Sequence, residues 1–517
     1  MRGAKLIHFG RNPQESARKF TASAENAASR PGIAIFAAKA VSRMITFFVC
    51  LALLVGAYFT YSKVLARAAG AGEISEMPSR SRFDGVDYIP MPAWKTFLIQ
   101  LLNIAGLGPI FGAVLGATYG PVAFVWITLG GIFGGAMHDY MAGMISLRSG
   151  GASLPEIVGR YLGLSVKQTM RLFTVLLMVL VGAVFMVGPA ELIAARTGWD
   201  ASLWVWIILA YYLLATLLPI DRIIGRVYPL FGVALVFMAV AIMAVMLAGD
   251  YPLPELTTLR NMKSDPEAFP VIPTLFITIA CGAISGFHAT QSPMMARCLT
   301  DPGQGRPVFY GAMIAECVIA LIWAAAAMAF FGDARQLGSA LAGHGDDAAW
   351  AVNLISSETL GRLGGILAFL GVIAAPITSG DTAFRSARLM VADFMGVEQR
   401  TLWKRLAICI PLFAAGYLIT QADFGVIWRY FAWANQTLAV FTLWAVTVWL
   451  RGRGPRLEYI SLPAALFMTF ICTSYLLSSG QMLGLPYAPS LWGAGAFTLG
   501  MLLLYIFRLR KNGKTGA

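Results

Sequence analysis

A chain of 517 residues that is 58% hydrophobic and 13% charged carries more apolar surface than a water-soluble protein can bury, so lipid is its expected solvent. The formal charge of +13 does not call for a nucleic acid partner, because arginine- and lysine-rich loops on one side of a bilayer give the same balance. Cys50, Cys281, Cys298, Cys317, Cys409 and Cys472 lie singly in apolar stretches, which speaks against a disulfide framework or a metal-binding pair.

Residues 1–43 read as a basic arm, with an amphipathic stretch near 31–42. A peripheral helix and a mixed-charge connector occupy 44–93, beginning with the apolar run 44–61. Further runs follow at 94–117, 121–147, 168–194, 201–219, 225–248, 270–297, 306–331, 360–392, 402–420, 424–450, 457–478 and 489–508. Each is near or above the roughly 20 residues that cross a bilayer, so about thirteen spans are expected. The core is placed at 94–450, as repeats 94–248 and 270–450; two helices and a basic tail fill 451–517.

Arginine and lysine cluster in alternate loops: 147–171, then Arg222 and Arg226, Arg297 and Arg306, Arg400 to Arg405, Arg451 to Arg456, and Arg508 to Lys511. The positive-inside rule puts these loops and the C-terminus in the cytoplasm. Parity then sends the start of the 44–61 run outside, against the positive charge of the arm.

Two spans are broken. Gly106, Gly108 and Pro109 fall in the middle of 94–117, where glycine costs a helix about 1 kcal/mol and proline about 3. Gly282, Gly286 and Pro293 do the same within 270–297. Each break lies roughly 11–12 residues into its span, about 17 Å deep, and the two spans run in opposite senses. Broken first and sixth core helices in opposed directions predict a five-plus-five inverted repeat of the LeuT type, with a solute bound between the breaks.

Polar residues inside spans mark candidate sites. Asn103 either caps the first break or binds solute; His288 either caps the second break or joins Thr290, Gln291 and Ser292 in presenting donors to a solute. Half-helix N-termini favour a carboxylate. Glu316 at mid-depth is either a proton carrier or a structural hydrogen-bond partner. Thr378, Ser379 and Asp381 are either a hard-cation site or, for Asp381, one side of an ion pair with Arg385 and Arg388; the ion pair is favoured. Asn435 and Gln436 line the cavity or tie helices together. His138 and Asp139 point about 100° apart on their helix, so they read as a gate contact or an interfacial anchor rather than a chelate. Glu191 falls near the outer end of its span.

The chain resembles the carbon starvation protein A family of bacterial inner-membrane transporters, associated with peptide uptake and in some members with pyruvate. The resemblance rests on Asp84 to Tyr88, Ile104 to Pro109, His138 to Met141, Gly151 to Leu154, Cys281 to His288, Tyr310 to Met313 with Glu316, Asp381 to Asp393, and Ala434 to Gln436. It implies the fold of the amino acid, polyamine and organocation superfamily, with Gly106, Gly108, Ser285, Gly286 and His288 around the substrate and H+ or another cation as coupling ion. Larger members carry a His pair where this chain has Ile99 and Gln100, Gln where it has His138, and an additional N-terminal helix.

The expectation is therefore a secondary transporter, not an enzyme, in the bacterial inner membrane. It would import peptides, or alternatively pyruvate or another small carboxylate, by alternating access coupled to H+ or Na+. No cofactor, metal or nucleic acid is called for, and the oligomeric state is left open. The four histidines, His8, His138, His288 and His344, form no zinc motif or nucleophile triad, which argues against an intramembrane enzyme. A passive channel is the remaining alternative.

Overall fold

The computed structural model describes residues 44–514 except 218–223, 250, 253, 258, 400 and 423, so the basic arm and its amphipathic stretch lie outside the described residues. Everything regular in the described part is helix.

The elements that place the site are, in order, α1 (Ile45–Phe59), α2 (Ala93–Ile104), α3 (Ala113–Ala117), α4 (Ala136–Arg148), α5 (Leu164–Thr197), α6 (Ala201–Leu217), α7 (Ile224–Ala248), α8 (Phe276–Thr278), α9 (Gly286–Ala296), α10 (Ala312–Phe331), α11 (Ala374–Met395), α12 (Leu402–Ile419), α13 (Phe424–Arg453), α14 (Leu462–Ser478) and α15 (Tyr487–Lys514). Each of the thirteen expected runs contains helix. Among the described residues, however, only eight helices are long and apolar enough to cross a membrane, or nine counting one bent pair as a span. The shortfall has identifiable causes. The apolar helices Ala201–Thr216 and Leu462–Ser478 are short, the second broken span is interrupted, and α11 carries Asp381, Arg385 and Arg388, all buried inside the bundle.

Contacts between loops sort the chain onto two faces. On one, Glu73 takes both Arg148 (2.9 Å) and Arg453 (2.8 Å), Arg297 donates to the Gly151 carbonyl, and Arg508 donates to the Leu162 carbonyl. This is the basic face. On the other, Glu255 accepts from the Thr46 amide and hydroxyl, Met262 donates to the Tyr119 carbonyl, and Tyr487 donates to the Ile272 carbonyl. Residues 45–68 therefore run from the Glu255 side to the basic side. Glu73 is exposed, yet its hydrogen bonds from Arg453 and Arg148 draw its carboxyl down to about 2.

Candidate functional site

Both breaks are present and they touch. The first helix ends at Ile104; Ala105 leaves helical geometry (ψ 56°), a wide turn spans 108–112, and the halves α2 and α3 bend by 58°. The second begins earlier than glycine and proline alone suggest. Ile279 already leaves the helix (ψ 78°), residues 279–285 carry the chain across, and α9 starts at Gly286 with Pro293 in its interior. Its unwound part is thus narrower than the Gly282–Pro293 stretch expected, because α9 continues through Pro293, whose carbonyl still accepts from the Arg297 amide. The glycines serve close approach. A methyl on Gly108 would overlap Cys281 Cβ, one on Gly112 would sit 2.9 Å from the Thr278 carbonyl, and one on Gly106 would sit 2.6 Å from the Phe185 ring.

A broken helix must place its freed backbone groups somewhere. At the second break the partner is Asn435 of α13: its Oδ1 accepts from the Phe287 amide (2.7 Å) and the Ser285 hydroxyl (3.0 Å). Gly286 lies directly on α13, where a Cβ would overlap the Asn435 carbonyl and the Ala439 amide. At the first break, Ser379 of α11 donates to the Leu102 carbonyl (2.8 Å). Gln436 donates to the Phe276 carbonyl of the other half of the second broken span (3.3 Å), and its Oε1 has no partner. Asn103 is fully buried with neither amide atom hydrogen-bonded, so it caps nothing.

His288 turns its ring away from the break. Its Nδ1 lies 2.9 Å from Asp139 Oδ2, while Asp139 Oδ1 lies 2.8 Å from His138 Nδ1. The other ring nitrogen of His288 is 3.6 Å from Glu316 Oε2. All four side chains are fully buried, and neither Glu316 oxygen has a hydrogen bond. The line runs from α4 through α9 to α10, tying three spans together with two imidazoles and two carboxylates. His138 and Asp139 are thus buried in the bundle and joined to His288 of α9. Four such groups in sequence can hold and pass a proton, with one gap too long for transfer between His288 and Glu316.

Thr290 donates to the Phe287 carbonyl (2.6 Å) and contacts Met178 Sδ of α5 (3.1 Å); Gln291 reaches Thr290 and Ser386, with its Oε1 unpartnered. These two residues face α5 and α11. Thr378 and Ser379 both donate to the Ala375 carbonyl, so their hydroxyls serve backbone first. Asp381 does not pair with the arginines on its own helix. Its Oδ2 accepts from Tyr228 of α7 (2.6 Å), and Oδ1 has no partner. Arg388 and Arg385 turn instead to Asp87 (3.2 and 3.4 Å), in the connector ahead of α2. Spacing on one helix suggested the Asp381 pair; the tertiary fold supplies a nearer carboxylate that sequence reading left without a role. Tyr228, Met178 and Asp87 are the site-proximal residues to which it gave no role, and only Asp87, inside the Asp84 to Tyr88 stretch that carries the family resemblance, gave any signal. Burial pushes Asp87 up, but the charges of Arg388, Arg385 and Arg297 outweigh that and hold its carboxyl below the usual range. Glu191 is exposed. Among the described residues no set of three or more His, Cys, Asp or Glu side chains could hold a metal ion.

Asn103, Ser285, His288, Thr290, Gln291, Glu316, Asn435 and Gln436 are at most 2% exposed, and Gly286 is buried. The region between the breaks is closed to solvent from both faces.

The comparisons with known proteins agree with this architecture. The crystal structure of MhsT in complex with L-phenylalanine aligns with a TM-score of 0.51 at 15% identity, over 74% of this chain and 98% of that one. The LeuT-like five-plus-five fold is thereby shown. An uncharacterized membrane protein of Haemophilus influenzae is 41% identical over 349 residues, 58% of this chain and 94% of that protein. The peptide transporter CstA of Helicobacter pylori is 26% identical over 525 residues, 77% of this chain and 76% of that one. The model of the family described as carbon starvation protein CstA matches residues 42–195 and 186–362. With that match over more than half its length, the chain belongs to the carbon starvation protein CstA family of membrane transporters.

Proposed function

We propose that the chain imports peptides across the bacterial inner membrane by proton-coupled alternating access, with its basic face and C-terminus in the cytoplasm. The observation that carries the coupling is the buried line His138–Asp139–His288–Glu316 beside the Asn435-capped break. Two ionised carboxylates with two neutral imidazoles give the cluster a charge of −2, and a net charge buried in hydrocarbon is costly. Taking up two protons makes it neutral. Because the four groups sit on three spans, any movement of α9 against α4 and α10 changes the cost of each charge state, which is the differential affinity that coupling needs.

A solute carboxylate suits the N-terminal end of α9. The peptide reading is supported by the printed name of the Helicobacter pylori relative. Pyruvate or another small carboxylate would meet the same groups. Asn103, Gln436 and Gln291, each with an unpartnered buried amide atom, are the polar atoms available to a peptide backbone. Na+ is the alternative coupling ion, with Asp381 Oδ1 as its candidate oxygen.

The test is Glu316→Gln in proteoliposomes loaded with buffer at two pH values and offered labelled dipeptide or labelled pyruvate. Loss of pH-driven accumulation with counterflow exchange intact is the expected result. Accumulation equal to that of the unmodified protein would remove Glu316 from the coupling path.

A further inference from the structure

α13 faces two ways. Asn435 and Gln436 point to the breaks, while Trp433, Thr437, Val440, Trp444 and Val448 line a separate cavity of about 460 Å³ against α14 and α15. From Trp433 to Val448 this wall runs 15 residues along one helix face, about 22 Å at about 1.5 Å per residue. One leaflet of hydrocarbon is about 15 Å deep. The cavity is therefore an apolar slot as long as an acyl chain, parallel to the chains of the surrounding lipid.

Its mouth is polar and sits on the basic face. Arg508, one helical turn beyond Tyr505, lines the slot there and donates to the Leu162 carbonyl. Tyr505 also lines it; its ring packs on Trp444, the residue is 7% exposed, and its hydroxyl has no hydrogen-bond partner. The nearby carboxylate Glu458 gives one oxygen to Arg451 (3.0 Å), and its other oxygen has no hydrogen-bond partner. Downstream the sequence adds Arg510, Lys511 and Lys514. A guanidinium and an unsatisfied buried hydroxyl at the end of an acyl-length slot match one ligand, an anionic phospholipid lying tail-first in the slot with its phosphate between Arg508 and Tyr505.

We infer that the crevice between α13, α14 and α15 is a specific site for one anionic phospholipid. Such a lipid would brace the back of the helix whose front caps the second break, without taking any part in solute binding.

The full-length protein in detergent, supplied with equimolar phosphatidylglycerol and phosphatidylcholine of matched chains, tests this by native mass spectrometry. One phosphatidylglycerol should be retained in preference to phosphatidylcholine. Arg508→Gln should lower that preference about fivefold, the effect of one basic side chain on an anionic lipid. Tyr505→Phe keeps the ring on Trp444 and should lower retention of both lipids, because the phosphate that they share loses the hydroxyl alone. Equal retention of the two lipids, or a preference untouched by Arg508→Gln, would mean that only bulk lipid enters the crevice and would overturn the assignment.

Discussion

Asn435→Ala tests whether the second break is held open by α13. The substitution removes the acceptor of the Phe287 amide and of the Ser285 hydroxyl, both buried. The Cys281 thiol donates to the Ser285 oxygen (3.6 Å) and gives the Ser285 hydroxyl no new acceptor, so both donors lose their partner; exchange reads the loss at the amide. A buried amide left without a partner costs about 1–3 kcal/mol. Side-chain bonds between helices in a membrane average only about 0.6 kcal/mol, because the separated helices find other partners. That smaller figure describes helix separation. Here the comparison is between a capped and an uncapped break in a folded bundle, so about 2 kcal/mol applies, or roughly 30-fold at about 1.4 kcal/mol per decade. Hydrogen–deuterium exchange in nanodiscs reads this directly, since exchange of a local segment follows its opening free energy. The Phe287 amide should exchange roughly 30-fold faster in Asn435→Ala. Asn435→Asp, which keeps a carboxylate acceptor at the same place, should show much less of the change. Identical exchange in the unmodified and Asn435→Ala proteins, or equal acceleration in both variants, would refute the capping argument.

Gly286→Ala puts a Cβ onto the α13 backbone at Asn435 and Ala439, which cannot move as a side chain would; overpacking of about 1–3 kcal/mol should lower the thermal unfolding midpoint. Gly72→Ala, with nothing within 4 Å, is the control that should not. Asp87→Asn should destabilise by about 3–5 kcal/mol by leaving buried guanidinium groups short of their counter-charge. The pH sign follows from the depressed carboxyl: its contribution is present in full above the ordinary carboxylate pKa and is lost as pH falls through the lower folded value. Thermal midpoints of the unmodified protein should thus decline below about pH 4, and the Asp87→Asn protein should lose that part of the decline.

The fold was legible because membrane helices announce themselves by length and because glycine with proline marks a break wherever it falls. Gly106 and Pro109 gave the first break to within a residue or two. The second is displaced toward Ile279, which no local propensity signals: the chain leaves the helix there while the Trp126 indole takes its carbonyl, a partner 153 residues away. Side-chain roles divide the same way. That Glu316 and His288 are polar groups at mid-depth is readable from position; that Asp139 stands between His288 and His138 is not, because depth along one helix does not say which neighbour lies across from it. The arginines of α11 show the opposite error. Arg385 and Arg388, one and two turns from Asp381, satisfy every local rule for a helical ion pair, yet a long-range carboxylate takes them.

That exchange of partners links the connector to the spans. Asp84 Oδ1 accepts from the Val86, Asp87 and Tyr88 amides (2.8–2.9 Å), so it folds the turn that carries Asp87 into place. Asp87 then binds α11, while Arg297 at the end of α9 packs over the Tyr88 ring (5.0 Å) and the Met91 amide donates to the Cys298 carbonyl. One short acidic turn thus ties the entry of the first broken span to the exit of the second and to α11. Alternating access on the proposed reading requires this basic-face closure to open while the opposite face stays shut, which means breaking buried pairs worth several kcal/mol. A solute and protons bound at the breaks must supply that difference, for a ligand shifts a conformational equilibrium only by its unequal affinity for the two states. The turn at Asp84–Tyr88 therefore sets how large the binding asymmetry between the breaks has to be.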